Sequence, residues 1–348
     1  MSGPLKIELY RVGGTIEQPL ANAQHDWSER RGIFLRIIDQ EWGEGWGEAS
    51  PLPRYSDDTL EQAYLALRNS KIELRSDFNL AQLSDIVRVV PASIPSARFA
   101  LECALLDLLS RKESTSVSGL FRTASPRARC CGLLPASESP LASAHKLQAR
   151  GISTAKLKVG RAWSQELRWI RELRAELPDL ELRIDVNGAW SVAQAKARLD
   201  TLAELGLQFV EQPVQPQEMG ELRDSPTPIA ADESLRAPHN HELLQPLVES
   251  SALVAIVLKP TVLGGILASL HHRDWAQERG IAAIASHCFE GPVAAAALSE
   301  FALVLGGDLA HGIDSHAALS AFPDVSIPQL TGHGIQAFRP GLGVFPTT

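Results

Sequence analysis

The chain has 348 residues, of which 45% are hydrophobic and 21% charged, and it contains four cysteines. At about 100 to 200 residues per domain, this length predicts two domains. The formal net charge of −8 gives no basic field for holding a phosphate backbone, which argues against nucleic acid as a partner. No apolar run approaches the roughly 18 residues of a membrane-spanning helix, and Met1 to Arg11 lacks the pattern of a secretory signal. We therefore expect a cytoplasmic protein with reduced cysteines and no membrane contact.

The first third of the chain predicts an α+β unit, since strand patterns give way to helical ones. In chain order these are strands at Ile7 to Val12 and Ile33 to Ile38, a turn rich in Gly and Trp at Glu41 to Glu48, and helices at Leu60 to Leu67 and Ala97 to Leu109. We place this capping unit at residues 1–125. We also expect residues 325–348 to pack back on it.

Residues 126–324 predict a parallel sheet, because short apolar strand candidates alternate with helical stretches. The strand candidates are Cys130 to Leu134, Thr154 to Val159, Leu182 to Val186, Gln208 to Glu211, Ile229 to Asp232, Val254 to Lys259, Ile281 to Ser286 and a weaker one near Val304 to Leu309. We predict a modified (β/α) TIM-type barrel of seven or eight units. The alternative, an open doubly wound sheet, would normally carry a glycine-rich phosphate turn after its first strand, and Gly132 to Ser137 has none.

Charged residues stand at the ends of successive strand candidates, about 21 to 27 residues apart. They are Lys156 and Lys158, then Asp185, Glu211, Asp232 and Lys259. In a parallel barrel these positions face one rim, where barrel enzymes place their active sites. Three carboxylates within about 5 Å repel by roughly 3 kcal/mol per pair at an effective dielectric near 20, so the cluster needs a cation. A single such carboxylate is most often a helix cap or a solvated residue, but three together favour a site for Mg²⁺ or Mn²⁺.

Lys156 and Lys158 lie two residues apart on one strand, so both point to one face. Because helices cover the outer side of a barrel, that face is the barrel mouth. A lysine base needs its pKa lowered from about 10.4 to about 7 or 8, which neighbouring cations and a metal supply. Removal of a proton next to a carboxylate gives an enediolate that a metal and a spare cation stabilise. The residues thus predict this class of enzyme; the alternative is a metal-binding or assembly barrel without turnover.

Motifs over nearly the whole chain resemble the enolase superfamily, in particular its muconate-lactonizing branch and the o-succinylbenzoate synthases within it. In the barrel they are AKLKVG at Ala155 to Gly160, LRIDVNGAW at Leu182 to Trp190, FVEQP at Phe209 to Pro213, AADESL at Ala230 to Leu235 and VLKPTVLGG at Val257 to Gly265. Outside it they are GWGEASPLPRYS at Gly45 to Ser56, similar to a capping-domain loop, and PGLGV at Pro340 to Val344.

The resemblance implies roles for twelve residues. Asp185, Glu211 and Asp232 would bind Mg²⁺. Lys158 would take the proton from the carbon next to the substrate carboxylate and return it to the departing hydroxyl. Lys259 would stabilise the enediolate from the opposite side, and Lys156 would lie near the substrate carboxylate. Residues supporting the site or contacting substrate would be Asn187, Glu233, Ser286, Glu290, Arg54 and Tyr55.

For the reaction, the resemblance implies dehydration of 2-succinyl-6-hydroxy-2,4-cyclohexadiene-1-carboxylate to 2-succinylbenzoate in menaquinone biosynthesis. The segment SHCFEGP at Ser286 to Pro292 departs from the SSxES type of these synthases, with Gly291 where a second Ser is common. The alternatives on the same scaffold are a racemase of N-succinyl or other N-acyl amino acids and a dipeptide epimerase. For the epimerase we expect an acidic DxD after the last strand, and GIDSH keeps only Asp314. The expected partner is a small carboxylate substrate, bound by a monomer or homo-oligomer.

Three histidines, His287, His311 and His316, fall near the same rim. The sixth barrel strand ends in Lys259, without a His/Asp dyad, so we interpret most of the histidines as surface or packing residues. Cys288 follows His287, but neighbouring strand residues point to opposite faces, which favours core packing for the thiol over a nucleophile–base pair.

Overall fold

The structure, a computed structural model, describes residues 5–22, 24–70, 78–122, 124–135, 138–323, 325, 340–344 and 346. Two sheets organise these ranges, one antiparallel with three strands and one parallel with seven. Within them, no helix has both the length and the apolar character needed to cross a bilayer.

The N-terminal unit is an antiparallel sheet in the order β1-β2-β3 with helices beside it. Its elements are β1 (Lys6–Ala21), β2 (Asp26–Asp39), β3 (Gly43–Ala49), α1 (Leu60–Asn69), α2 (Leu83–Val87) and α3 (Pro95–Lys112). The two predicted strands and two predicted helices are confirmed. The predicted turn over Glu41 to Glu48 was wrong for most of its length, because β3 begins at Gly43.

The glycines that suggested a turn are in a strand because a helix packs directly on it. A Cβ built on Gly45 would lie 2.1 Å from the carbonyl oxygen of Ala104, and one on Gly47 would lie 1.9 Å from that of Ala100. Only glycine allows the backbones of β3 and α3 to approach so closely. Glycines that are needed for this long-range contact therefore look, in the local sequence, like the glycines of a turn.

The parallel sheet runs through its strands in chain order. They are β4 (Cys131–Leu134), β5 (Thr154–Lys158), β6 (Glu181–Asp185), β7 (Phe209–Glu211), β8 (Ile229–Ala231), β9 (Leu253–Leu258) and β10 (Ala282–Ala285). The helices among and after them are α4 (Leu141–Ala149), α5 (Trp163–Glu176), α6 (Val192–Leu202), α7 (Asn240–Glu249), α8 (Pro260–Leu263), α9 (Ile266–Gln277) and α10 (Pro292–Leu305). The predicted parallel β/α architecture is confirmed.

The eighth barrel position is reduced to two residues. His311 forms a parallel bridge with Cys130 beside β4, and Gly312 forms one with Ser286 after β10, so these residues join the two edges of the sheet. The predicted strand near Val304 to Leu309 was wrong, because α10 continues to Leu305. The chain there is an apolar run, and periodicity alone does not distinguish a short buried strand from the end of a buried helix.

The C-terminal return is described only in part. Of residues 325–348, most lie outside the described residues, but Gly341 bridges Ser116 and its N–H donates to the carbonyl of Thr115 at 3.0 Å. The N–H of Leu342 donates to Oδ1 of Asp107 in α3 at 2.7 Å. The stretch 340–344 therefore lies against the N-terminal unit. We propose residue 125 as the boundary between that unit and the barrel.

Candidate active site

Strand pairing brings three carboxylates to one end of the parallel sheet. Asp185 is the last residue of β6 and pairs with Lys158 on one side and Glu211, the last residue of β7, on the other. Asp232 follows β8 directly. Their exposed fractions are 0%, 1% and 3%, so all three carboxylates are held out of water. Isolated charges at such positions would be strongly unfavourable, so each needs a partner.

Three lysines supply those partners. Lys156 Nζ lies 3.0 Å from both carboxylate oxygens of Glu211 and 3.2 Å from Oδ2 of Asp185. Lys158 Nζ lies 2.7 Å from the same Oδ2, and Lys259 Nζ contacts Asp232. Since β5 carries two of these lysines and β9 ends just before the third, the lysine strands flank the carboxylate strands. The cluster therefore pairs three cations with three anions.

The pKa values follow from burial and from this pairing. Burial alone would raise the pKa of Asp185, but the ammonium groups of Lys158 and Lys156 outweigh it and hold that pKa well below its usual range. Burial, together with the negative charge of Asp185, raises the pKa of Glu211. For Lys156 burial acts to lower the pKa, yet the carboxylates of Glu211 and Asp185 raise it overall. The site is thus a tightly coupled charge cluster.

Asn187 and Glu233 support this cluster. Asn187 Oδ1 lies 3.2 Å from Lys158 Nζ, and its amide nitrogen donates to Oε1 of Glu233 at 3.1 Å. Burial and the neighbouring Asp232 charge raise the pKa of Glu233 to about 8. Both predicted residues therefore lie beside the charges.

The donor set fits a hard divalent cation. In the ranges that the structure describes, no group of three His, Cys, Asp or Glu side chains converges to hold a metal ion by itself. Instead, Lys156 Nζ lies between Asp185 and Glu211, which shows that a cation is favoured there. Carboxylate oxygens alone are the ligands that Mg²⁺ prefers. Asp185, Glu211 and Asp232 are accordingly the residues that would hold the ion.

A cavity opens above the cluster, between the capping unit and the barrel. Its charged end is formed by Lys156, Lys158 and Lys259, with Tyr55 beside them. Lys259 Nζ donates to the Tyr55 hydroxyl at 2.8 Å, and that hydroxyl lies 3.3 Å from Oδ2 of Asp232.

The remaining wall of the cavity is apolar or neutral. It includes Trp27, Leu52, Leu133, Phe289, Ser286 and His287, with both Cys131 and Cys288 also lining it. Burial raises the pKa of the Cys288 thiol well above its usual value, so the thiol is neutral. This agrees with a packing role for Cys288, although His287 contacts the cavity instead of serving only as packing.

Glu290 and Arg54, two of the residues predicted to support the site or contact substrate, do not line this cavity. Glu290 is fully buried; it accepts hydrogen bonds from Thr261 Oγ1 at 2.5 Å and from the N–H of Cys288 at 2.6 Å. Arg54 lines a second, outer cavity of about 820 Å³ that also borders Tyr55, Asn187 and Glu233. Its Nη2 donates to the carbonyl of Asp26 at 2.7 Å. Ser286 and Tyr55 do line the inner cavity.

Sequence reasoning missed Asn22, Trp27 and Leu52, which complete the cavity from the capping unit. Leu52 lies within the GWGEASPLPRYS motif but was not singled out, and no local motif marks Asn22 or Trp27, because they reach the site only when the capping unit packs on the barrel. Leu133 and Phe289 read as ordinary core residues for the same reason. Only the tertiary contact makes these positions part of a site.

The sequence models agree with the architecture. Residues 141–347 match the family described as enolase C-terminal domain-like, and residues 5–108 match the N-terminal domain described for MenC. The chain belongs to the enolase superfamily. Within the superfamily its similarity is to o-succinylbenzoate synthases of the muconate-lactonizing branch, at about 28% identity.

Individual relatives carry more than one activity. An o-succinylbenzoate synthase from Haemophilus influenzae is 28% identical over 334 residues, covering 92% of this chain and 94% of the relative. The L-Ala-D/L-Glu epimerase of Escherichia coli is 27% identical over 331 residues, covering 94% and 92%. The structure of a dipeptide epimerase from Enterococcus faecalis, complexed with Mg and the dipeptide L-Leu-L-Tyr, matches with a TM-score of 0.84 at 20% identity over 99% of each chain. The fold and superfamily are thus established, while the reaction has to be argued from the site.

Proposed function

We propose that this enolase-superfamily protein is an o-succinylbenzoate synthase, a hydro-lyase that forms 2-succinylbenzoate from 2-succinyl-6-hydroxy-2,4-cyclohexadiene-1-carboxylate in menaquinone biosynthesis. The observation that carries the proposal is the pair of lysine strands on either side of three buried carboxylates. In this arrangement Lys158 and Lys259 line the charged end of the inner cavity. The match of residues 5–108 to the MenC N-terminal domain and the similarity to an o-succinylbenzoate synthase over 92% of the chain support it.

In the proposed reaction Lys158, as the free amine, takes the proton from the ring carbon that bears the carboxylate. The C–H electron pair first moves onto the substrate carboxylate, and it then forms a new ring double bond as the C–O bond to the hydroxyl breaks. Lys158 returns its proton to the departing hydroxide, so water leaves and the ring becomes aromatic. Proton transfer by a positioned base of this kind contributes about 10²- to 10⁴-fold to the rate.

Lys259 contributes positive charge on the other side of the substrate. Its ammonium group is fixed by Asp232 and by the Tyr55 hydroxyl at 2.8 Å. A preorganised cation stabilises negative charge as it develops on the substrate carboxylate. When bound by Asp185, Glu211 and Asp232, Mg²⁺ would supply Lewis-acid stabilisation of the same charge.

A racemase of N-acyl amino acids is the second candidate. Racemisation requires a base on each face of the α-carbon, and Lys158 and Lys259 would lie on the two sides of the substrate. A dipeptide epimerase has less support. Asp314, the one acidic residue available to hold a substrate amine in the expected place, is paired with Arg150, with oxygen-to-nitrogen distances of 2.5 and 3.0 Å. The charge of the Asp314 carboxylate is thus already balanced by the guanidinium of Arg150.

The test is the Mg²⁺-dependent loss of the diene absorbance on mixing purified protein with the cyclohexadiene carboxylate. We expect chelation of the metal to abolish turnover and Lys158→Ala to lower kcat at least 10²-fold. Lys196→Ala, which removes an exposed lysine of α6, is the matched control and should retain wild-type activity.

Full activity of Lys158→Ala would overturn the assignment of the base. Absence of turnover by folded, Mg²⁺-loaded wild type would overturn the substrate. In that case, exchange of the α-hydrogen of N-succinyl amino acids with solvent deuterium tests the racemase directly.

A further inference from the structure

His287 lies in the wall of the inner cavity, away from the mechanism described above. It follows β10 by two residues and lines the cavity together with Trp27, Leu133 and Phe289. Neither the carboxylate cluster nor any of the three lysines forms a hydrogen bond with its ring among the described contacts. The proposed proton transfer gives this imidazole no part.

Packing fixes the orientation of the ring. Its centroid lies 4.4 Å from that of His316 and 5.0 Å from that of Phe289. Nδ1 of His287 accepts a hydrogen bond from the backbone N–H of Phe289 at 3.4 Å. An imidazole held on one face and at one nitrogen presents its other nitrogen in a defined direction.

The ring is a neutral donor. Burial, aided by His316 and the positive charges of Lys156 and Lys259, lowers the pKa of His287 well below its usual value. In a neutral imidazole whose Nδ1 accepts a hydrogen bond, the hydrogen is on Nε2. No described residue accepts a hydrogen bond from that Nε2–H, and the His287 ring lines the cavity.

We propose that His287 is a specificity-determining residue that donates a hydrogen bond from Nε2 to a terminal carboxylate oxygen on the side arm of the substrate. The inference rests on the proposed function, in which this arm is the succinyl group. The lysines fix the reacting carboxylate at the charged end of the cavity, so the arm extends toward the neutral wall. Among the wall residues, the His287 Nε2–H is a directed donor without a partner in the described structure.

The experiment measures dissociation constants of Mg²⁺-loaded protein by calorimetry for two ligands that differ only at the end of the arm. These are 2-succinylbenzoate and 2-butanoylbenzoate, which keeps the ketone but ends in a methyl group. The variants are His287→Leu, which removes the donor, and His287→Gln, whose amide nitrogen is placed like Nε2.

We expect His287→Leu to raise the dissociation constant of 2-succinylbenzoate at least tenfold, since the loss of a hydrogen bond to a charged group has about that effect. The same variant should change 2-butanoylbenzoate less than twofold, and His287→Gln should stay within about threefold of wild type for both ligands. In turnover assays the change should fall on KM and leave kcat near wild type, because His287 does not touch the reacting atoms. A merely structural role would weaken both ligands together.

Equal weakening of the two ligands, or none, would overturn the proposal for His287. If the wild type neither binds 2-succinylbenzoate nor turns over the diene, the proposed function fails instead. The same variants are then compared on N-succinyl and N-butanoyl amino acids, which differ at the same terminal group. If His287→Leu still distinguishes the succinyl from the butanoyl compound in both pairs, His287 is rejected as the determinant.

Discussion

At the scale of single residues, the buried carboxylates of the site need positive charge close to them. Asp185 and Glu211 share one lysine, because Lys156 Nζ lies within 3.2 Å of both. A dication that bound all three carboxylates would compete with this ammonium for the same oxygens. A cation that binds only the native state stabilises that state. Occupancy of the carboxylate site by Mg²⁺ is therefore measurable without any assay of turnover.

We predict that Mg²⁺ raises the melting temperature of the wild type by several degrees. At a free concentration 100 times the dissociation constant, the native state gains about 2.7 kcal/mol. Glu211→Gln should lose this shift, as followed by differential scanning calorimetry with and without Mg²⁺. Glu181→Gln changes a carboxylate at the opposite end of β6, paired with Arg129 at 3.0 Å, and should keep it; an equal shift in both variants would contradict the ligand assignment.

Tyr55 gives a second prediction at this scale. Its hydroxyl accepts from Lys259 at 2.8 Å and lies 3.3 Å from Oδ2 of Asp232, so it fixes the lysine on the cavity side. Tyr55→Phe removes one charge-assisted hydrogen bond, and we expect kcat/KM for the diene to fall about tenfold. Tyr64→Phe, away from the cavity, should leave kcat/KM unchanged. Wild-type kcat/KM in the Tyr55 variant would show that the hydroxyl does not position Lys259.

At the scale of elements, two barrel helices are capped by the other unit of the protein. The first N–H groups of α10 and the Gly291 N–H donate to Glu48 of β3, at 2.5 to 3.1 Å. The N–H groups of Ile266 and Leu267 at the start of α9 donate to Glu102 of α3. Carboxylates at helix N-termini are favourable because they satisfy free N–H groups and oppose the helix dipole. Gly265 precedes α9 because a Cβ there would lie 2.1 Å from Oε2 of Glu102.

The burial of Glu102 predicts a pH dependence of stability. Burial raises its pKa to about 7 in the folded protein, against 4.5 unfolded, and the bonds from Leu267 and Ile266 offset this only in part. A raised folded pKa stabilises the protein fully below the unfolded pKa and loses that contribution as the pH rises through the folded pKa. The loss amounts to about 3 kcal/mol between pH 4.5 and 7.

The measurement is the difference in unfolding free energy between the wild type and Glu102→Gln, by urea denaturation from pH 5 to 8. We expect the wild type to lose stability relative to the variant as the pH rises, because Gln resembles the protonated carboxyl at every pH. Taking the difference removes the titration of the other groups. A difference that is independent of pH would show that Glu102 is already ionised at pH 5.

At the scale of the whole molecule, the inner cavity exists only where the two units meet. Gln24 Nε2 donates to the carbonyl of Asn187 at 2.7 Å, Arg161 Nε to that of Asn22 at 2.7 Å, and Arg236 Nη1 to that of Tyr55 at 2.7 Å. These contacts hold Asn22, Gln24 and Tyr55 of the capping unit over the barrel mouth. Closure of this kind excludes water from the charges and strengthens their interactions.

Arg30 connects the two units in the interior. Its guanidinium is 1% exposed and donates to the carbonyls of Phe289, Pro51 and Ser50 at 2.7, 3.0 and 2.6 Å. We predict that Arg30→Met lowers the unfolding free energy by about 3 kcal/mol or more, because three buried acceptors lose their donor. Denaturant unfolding measures this.

The matched control is the next residue. Arg31 has a side chain 63% exposed and pairs with Glu29 at 3.2 Å. Arg31→Met should change stability by no more than about 0.5 kcal/mol. Equal effects of the two substitutions would mean that the buried contacts of Arg30 do not hold the capping loop to the barrel.

The sequence by itself determined the parallel β/α pattern, two of the capping strands and the charges at strand ends. The strands and helices follow from local periods of two residues in a strand and 3.6 residues in a helix. The charges follow from their recurrence at successive strand ends. Lys158, Asp185, Glu211 and Lys259 could be placed on one rim because strand order alone puts them there. The end of the helical segment at Gly206 is also local, because glycine adopts the φ of 60° found there without strain.

The tertiary structure decided what no period records. The chain contacts that shape the cavity join residues far apart, such as Arg30 with Phe289 and Tyr55 with Lys259. Whether Gly45 belongs to a turn or to a strand depended on α3, and the two-residue eighth strand depended on the edges it joins. The neutral donor at His287 likewise arises from packing and from burial, both of which are set only when distant segments meet and exclude water.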